Sequence, residues 1–265
     1  MRGIALAAVW GTRALALLLL TVPLALVVWL SFSSDRFTAI PPSGYSLHWY
    51  RNILNEPQLY GGFILSLKIA AIVTFSSLLI GTLAAYGQWR FALLPGRLME
   101  TLLSLPIMVP LVVTGLALVF LLAKVGFVSG FWNIILGHII LTFPFVVRFV
   151  SNSLRRYDPQ FDEAAASLGA RPWQIALHIT LPIVRPGLFA GGFFAFALSF
   201  DDFPITIFLV DQNTVPLPVA MYHYMEWNLN PTLSALSAVL VMMAAALAFV
   251  IDRLAGLDRF VGIRH

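Results

Sequence analysis

Two adjacent carboxylates stand inside an apolar stretch in the second half of the chain. Asp201 and Asp202 follow Ser199 and precede Phe203. An ionised side chain within a membrane-spanning segment is costly and usually faces a cavity or a partner, which makes it a candidate for function. The negative charge would suit a cationic substrate, and aromatic faces attract ammonium groups. The candidates for a substrate pathway are therefore Ser199, Asp201, Asp202 and Phe203.

A structural role for the acidic pair is also open. Neighbouring residues of a helix point ~100° apart, so both acids cannot face one direction. One acid can face the pathway while the other faces a neighbouring helix or loop. Alternatively, the segment from Asp201 to Pro204 breaks the helix, and the acids cap the next segment or pair with Lys68.

A second pattern is a short polar segment within the apolar chain. It reads Glu163-Ala164-Ala165-Ala166-Ser167-Leu168-Gly169 and continues after nine residues with Ile179-Thr180-Leu181-Pro182. Acidic residues before the alanines favour a helix N-terminus, and Gly169 is suited to a left-handed turn after the helix. Pro172 is suited to the first turn of a second helix, which Pro182 is expected to interrupt. The small alanine face lets another protein approach closely, and Glu163 offers a charge-assisted hydrogen bond.

The composition is that of a polytopic membrane protein. Of 265 residues, 60% are hydrophobic and only 11% are charged, whereas soluble domains carry about 25% charged residues. With no cysteine and five scattered histidines, we expect neither disulfides nor a metal site. Only helices satisfy the backbone of such spans, so the fold class is all-α. We predict one transmembrane domain with six helices at about 14–33, 62–87, 99–123, 131–149, 187–210 and 233–254.

Positive charges predict the orientation of these spans. Cytoplasmic segments of membrane proteins carry an excess of Lys and Arg. An N-in, C-in topology places most of them inside, namely Arg2, Arg13, Arg90, Arg97, Arg148, Arg155, Arg156, Arg171, Arg185, Arg253, Arg259 and Arg264. Only Arg36, Arg51 and Lys124 then lie outside, and Lys68 snorkels outward. Residues 150–186 become the long inside loop, and the basic balance needs no nucleic-acid partner.

The spaced pattern from Glu163 to Pro182 resembles the cytoplasmic loop of ABC importer permeases at every defined position. The order of the spans around this loop is also similar. Ser31-Phe32-Ser33-Ser34-Asp35-Arg36-Phe37, followed by Trp49-Tyr50, resembles permeases of the spermidine/putrescine group. The resemblance implies a coupling helix that enters a groove of an ATPase subunit. It assigns the coupling role to Asp162, Glu163, Ala164, Ala165 and Gly169.

The resemblance also implies partners and a location. The expected assembly contains a second permease subunit, two ATPase subunits and an external solute-binding protein, in the bacterial inner membrane. We favour a different chain as the second permease subunit, although the sequence also permits a homodimer. The chain has no Gly-rich phosphate loop of its own, so we expect no enzyme activity here and no cofactor in this chain. ATP and Mg would be bound by the partner ATPase.

The cargo remains open at this point. The Ser-x-Asp-Asp pattern at positions 199–202 resembles polyamine permeases and favours a polyamine or another cationic amine. Permeases with similar loops carry phosphonates, opines, amino-acid derivatives or iron. A different class, a self-sufficient secondary transporter or channel, predicts inverted repeats with paired broken helices. The two halves of the sequence do not show them.

Overall fold

The chain folds almost entirely into helices. The computed structural model describes residues 2–37, 39–228 and 230–255. Two of the arginines predicted to lie inside, Arg259 and Arg264, are outside the described residues. The helices are α1 Arg2–Leu30, α2 His48–Asn55, α3 Pro57–Phe91, α4 Gly96–Met108, α5 Leu111–Lys124, α6 Gly130–Leu154, α7 Gln160–Ser167, α8 Pro172–Ile175, α9 Leu181–Asp201, α10 Thr206–Leu209, α11 Leu217–Trp227 and α12 Thr232–Ala255. The all-α prediction is confirmed. Its single-domain organisation stays a prediction.

Most predicted spans correspond to long apolar helices. Within the described part of the chain, five helical stretches are long and apolar enough to cross a membrane, namely Val9–Leu30, Pro57–Phe91, Gly130–Leu154, Pro172–Asp201 and Thr232–Val250. A bent pair of helices makes a sixth if it is counted as one span. Four of the six predicted spans therefore match single helices, apart from shifts at their ends.

The predicted span 99–123 is wrong as a single helix. Helices α4 and α5 replace it and meet at an angle of 92°. Between them Val109 is extended, with φ −76° and ψ 131°, and Pro110 follows. A proline disfavours the helical conformation of the residue before it and cannot continue the backbone hydrogen-bond ladder. Two helices of about half a span each are the result.

The predicted span 187–210 is wrong at both ends. The helical stretch begins at Pro172, passes through a π-helical turn at Ala176–Thr180 and ends at Asp201. Pro182 does not interrupt it. The N–H of Leu181 bonds to the carbonyl of Ala176, so the wider turn changes the hydrogen-bond register just before the proline, which has no N–H to donate. The loop between these helical stretches is correspondingly shorter than the predicted inside loop, 150–186.

Contacts group the described residues into two compact units, those within 1–60 and 221–245 and those within 61–220 and 246–265. In the first unit, polar side chains join helices that are distant in sequence. The Asn52 amide donates to Thr232 Oγ1 at 3.0 Å, and the hydroxyls of Ser31 and Tyr50 are 2.7 Å apart. The candidate site residues all belong to the second unit.

The second unit contains two buried apolar clusters. The α10 cluster joins α3, α5, α6 and α10 and consists of Ile69, Val73, Leu118, Ile134, Ile135, Leu141, Ile205 and Leu209. The α4 cluster joins α3, α4, α6 and α9 and consists of Ala85, Leu103, Val146, Val147, Val150, Leu154, Val184 and Ala195. Helices α6 and α9 approach closely at Gly187, where a Cβ atom would lie 2.7 Å from the Phe149 carbonyl oxygen. Small residues permit such close helix packing in membranes.

Candidate functional site

Helix α7 presents the predicted coupling residues on an exposed surface. Glu163 and Ala164 are exposed, and Ala165 is half-buried. Two large apolar side chains flank them, Phe161 with 53% and Leu168 with 90% of its surface exposed. Phe161 and Leu168 together give this surface exposed apolar side chains on which a partner can pack.

A glycine turn fixes the end of α7 against the following helix. Gly169 has φ +86°, a left-handed conformation that strains any residue with a side chain. Its N–H bonds to the Ala166 carbonyl at 2.9 Å, and the N–H of Ala170 bonds to the Ala165 carbonyl at 3.0 Å. This pair of bonds is the Schellman motif. With Pro172 at the start of α8, the predicted order of helix, glycine turn and helix is confirmed.

Asp162 is placed apart from its neighbour Glu163. Its side chain is buried and accepts a hydrogen bond from the Tyr157 hydroxyl, while Arg90 Nη1 lies 3.5 Å from its other carboxylate oxygen. Burial, together with the hydrogen bond to Asp162, raises the pKa of Tyr157 to about 12. The tyrosine therefore remains a donor at neutral pH. Sequence reasoning grouped Asp162 with the exposed coupling residues and missed both of its partners.

Asp201 and Asp202, the acidic pair of the fifth predicted span, have different surroundings and different roles. Helix α9 ends at Asp201, and Asp202 is extended with ψ 119°. One carboxylate oxygen of Asp202 accepts from the Ile205 N–H at 3.1 Å, the Thr206 N–H at 3.0 Å and the Thr206 hydroxyl at 3.1 Å. Asp202 therefore caps the start of α10, which satisfies donors that a helix N-terminus leaves free. Neither acid forms an ion pair with Lys68 in the described part of the chain.

A buried histidine supports this cap. His138 of α6 is 1% exposed, and its ring nitrogens lie 2.9 Å from Ser199 Oγ and 2.8 Å from Thr206 Oγ1. Its Nε2 atom is also 3.4 Å from the capping oxygen of Asp202. Ser199, a pathway candidate from the sequence, is thus buried and occupied within this network. The sequence signal for His138 was weak, because an isolated polar residue in a span usually serves helix packing.

Asp201 instead faces an open cavity of about 500 Å³. The cavity is lined by Ile107, Leu111, Leu141, Phe145, Phe193, Phe194, Ala197, Leu198, Asp201, Asp202 and Pro204. Among the described residues, the Asp201 carboxylate has neither a hydrogen bond nor an ion pair. The aromatic rings at the cavity are Phe145, Phe193 and Phe194, and the predicted Phe203 is not part of the lining. One available carboxylate among aromatic and aliphatic walls can hold a small cation.

The family model for the binding-protein-dependent transport system inner membrane component matches residues 77–257. The chain belongs to this family. The matched part includes α7, the glycine turn, the acidic pair and the cavity. The prediction of an ABC importer permease is thereby confirmed, and it takes precedence over a self-sufficient transporter or channel. The family description and the apolar helices together indicate a multi-pass protein of the bacterial inner membrane.

Relatives with assigned transport systems align over most of this chain. The spermidine/putrescine permease protein PotC of Escherichia coli K12 is 30% identical over 225 residues, 85% of each chain. The putrescine permease protein PotI of the same strain is 29% identical over 239 residues, covering 87% of this chain and 84% of its own. The putative 2-aminoethylphosphonate permease protein PhnV of Salmonella typhi is 27% identical over 241 residues, covering 88% and 89%.

Solved transporters share the fold. A bacterial ABC transporter involved in alginate import superimposes with a TM-score of 0.67 at 17% identity, over 95% of this chain and 94% of that chain. An inward-facing MetNI methionine ABC transporter superimposes with a TM-score of 0.58 at 21% identity, over 74% and 94%. At these sequence identities the structural similarity establishes the architecture alone and does not identify the cargo.

Proposed function

We propose that the chain is the transmembrane subunit of an ATP-driven importer for a cationic amine such as a polyamine. The observation that carries this proposal is the exposed, unpaired Asp201 carboxylate in the aromatic cavity of the second unit. The similarity to PotC and PotI supports the same cargo class. An external binding protein delivers the cargo, and the permease supplies the route.

The electrostatics of the cavity favour a cation. Of the two acids in its lining, Asp202 is occupied by α10 and His138, which leaves Asp201 to compensate a charged cargo. An ammonium group 4 Å from a carboxylate gains roughly 4 kcal/mol at an effective dielectric constant of 20, against about 1 kcal/mol in water. The rings of Phe145, Phe193 and Phe194 add faces that attract the ammonium groups.

A phosphonate bearing an amine is the second candidate, because PhnV is also similar over most of the chain. The described cavity lining contains no lysine or arginine to bind a phosphonate group. Iron is disfavoured for a related reason, since the described residues include no cluster of three or more potential metal ligands. No contact in the described cavity supports an opine or another amino-acid derivative as the cargo.

ATP is hydrolysed by partner subunits, which bind ATP and Mg, and α7 is their docking element. The exposed Glu163, Ala164 and Leu168 form the contact surface, and the Gly169 turn sets its angle to α8. Closure of two ATPase subunits on ATP would draw two such helices together and rock a permease pair, formed with a different chain, between inward-facing and outward-facing states. An N-in, C-in orientation places α7 on the ATPase side.

The test is cargo uptake by the assembled transporter in proteoliposomes. The vesicles contain ATP, and the external binding protein is added with radiolabelled putrescine, spermidine or 2-aminoethylphosphonate. We expect ATP-dependent uptake of a polyamine, which excess unlabelled polyamine abolishes. Uptake of the phosphonate without uptake of either polyamine would overturn the cargo assignment. ATP-independent uptake by the chain alone would overturn the importer mechanism.

A further inference from the structure

The buried acid of α7 joins the exposed coupling surface to the membrane-spanning core. Asp162 lies one residue before Glu163, yet only 8% of its surface is exposed. Its carboxylate accepts from the hydroxyl of Tyr157 and lies 3.5 Å from Arg90 at the end of α3. Because it is almost fully buried, Asp162 is not part of the exposed surface that Glu163 and Ala164 form.

Tyr157 makes the contacts that connect α7 to α3. Its side chain is 6% exposed, and its ring meets the ring of Trp89 on α3 edge-on, with 5.0 Å between centroids. Its ring also lies 6.1 Å from that of Phe161 on α7. Edge-to-face ring pairs at these separations are favourable. Tyr157 therefore contacts α3 through its ring and α7 through both its ring and its hydroxyl.

Trp89 connects Tyr157 to the buried apolar residues of the second unit. It packs against the α4 cluster, whose members come from α3, α4, α6 and α9. A continuous series of contacts thus runs from Asp162 through Tyr157 and Trp89 to a core that contains four of the helices of the second unit.

A short helix needs such an anchor if it is to transmit force. Helix α7 has eight residues, and an isolated helix of this length is unstable in water. The Gly169 turn holds its C-terminal end against the next helix, and Asp162 holds its first turn. Without the second attachment, a partner that pushed on α7 would tilt or unfold it before α3 moved.

We infer that Tyr157 and Asp162 are positioning residues that fix α7 to α3, so that movement of the coupling helix by the ATPase reaches the membrane helices. This inference rests on the proposed function of α7 as the ATPase docking element. It assigns Asp162 to transmission and leaves contact with the ATPase to the exposed residues Glu163, Ala164 and Leu168.

Two measurements on matched variants test this inference. Tyr157→Phe removes the hydroxyl and keeps the ring, and Asp162→Asn keeps one acceptor oxygen and removes the charge that faces Arg90. Ser167→Ala is the control, because Ser167 is exposed on the same helix and its hydroxyl bonds only within α7. The first measurement is hydrogen exchange of the amides of 160–167 in the purified full chain. The second is cargo imported per ATP hydrolysed by the assembled transporter.

We expect Tyr157→Phe to accelerate exchange across α7 about tenfold, which corresponds to about 1.4 kcal/mol of opening free energy. Asp162→Asn should give a smaller acceleration, and Ser167→Ala none. In the assembled transporter, Tyr157→Phe should lower the cargo imported per ATP several-fold while the ATPase subunits stay bound. Combining Asp162→Asn with Tyr157→Phe should cause less than the sum of the two separate effects, since the two residues share one hydrogen bond.

Three results would overturn the inference. Exchange at wild-type rates in both variants would show that the junction does not hold α7. Faster exchange with unchanged cargo per ATP would show that it transmits nothing. Loss of the ATPase subunits from either variant would make these residues part of docking. The exchange measurement needs no cargo, so it stays decisive if the cationic-amine assignment fails, and binding-protein stimulation of ATP hydrolysis then replaces the uptake ratio.

Discussion

The loop between α6 and α8 and the break at the end of α9 each contain two adjacent acids, and each pair divides into one buried and one exposed member. In the loop, Asp162 is buried and Glu163 is exposed, whereas at the break Asp201 is exposed and Asp202 is buried. The surroundings of the buried acids differ. Side chains of tyrosine and arginine hold Asp162, but two backbone N–H groups, a hydroxyl and a histidine surround Asp202.

This difference separates residues that position a surface from residues that form it. A buried carboxylate already accepts bonds from its own chain and fixes local geometry, while the exposed neighbour remains available for a cargo or a partner. The number and kind of donors around each buried acid predict how much stability its removal costs. The exposed acids should affect transport and leave stability nearly unchanged.

The largest effect on stability is expected from Asp202→Ala. Removal of the capping carboxylate leaves the buried N–H groups of Ile205 and Thr206 without an acceptor, at a cost of about 3 kcal/mol. Thermal unfolding of the purified chain in detergent measures the change. Asp201→Ala is the matched control and should unfold at the wild-type temperature. Equal losses in the two variants would contradict the division of roles between the acids.

A smaller loss is expected from Asp162→Ala, because only the Tyr157 hydroxyl and a half-exposed arginine lose their partner. We expect about 2 kcal/mol, again from thermal unfolding. The neighbouring Glu163→Gln change should stay within about 0.5 kcal/mol, as surface substitutions usually do. A loss for Glu163→Gln as large as that for Asp162→Ala would remove the distinction between buried and exposed acids in the loop.

Gly169→Ala should cost about 1 kcal/mol, because a side chain at φ +86° strains the backbone. Nothing lies within 4 Å of a Cβ atom built there, so the strain is conformational and not steric. The variant should also hydrolyse ATP with less cargo transported, since the turn sets the angle of α7. Wild-type transport per ATP in this variant would show that the turn does not take part in coupling.

A further prediction concerns alkaline pH. The pKa of Tyr157 rises to about 12 in the folded chain, from an ordinary value of 10.0. The folded state therefore favours the protonated phenol. The resulting stability is complete below pH 10 and is lost as the pH rises through 12. Tyr157→Phe should flatten this part of a pH titration of unfolding temperature, and an unchanged titration would contradict the buried hydrogen bond to Asp162.

The helix–turn–helix of the loop could be predicted because its determinants are local. Gly169 and Pro172 impose their conformations through their own covalent structure, and the acids precede the helix that they favour. The break at Asp202 was one of several open arrangements, since its capping geometry depends on α10. Which acid is buried depends on α10 and also on His138, which is 64 residues away from Asp202 in sequence and contacts it only in the folded chain.

The errors have the same origin. Pro182 was expected to interrupt a helix, but the π-helical turn at Ala176–Thr180 changes the hydrogen-bond register before it, and the helix continues. Pro110 lies within what was predicted as one span, 99–123, and instead divides it into two helices at 92°. A proline marks where the ladder of hydrogen bonds is interrupted, and tertiary packing decides how large the change of direction becomes.

The most direct test of the account is putrescine uptake by the assembled transporter carrying Asp201→Asn. This change removes the charge from the cavity and keeps the size of the side chain. We predict that the variant assembles and unfolds at the wild-type temperature but imports putrescine at least about tenfold more slowly, a barrier change of about 1.4 kcal/mol. Wild-type uptake by Asp201→Asn would contradict the claim that Asp201 holds a cationic cargo.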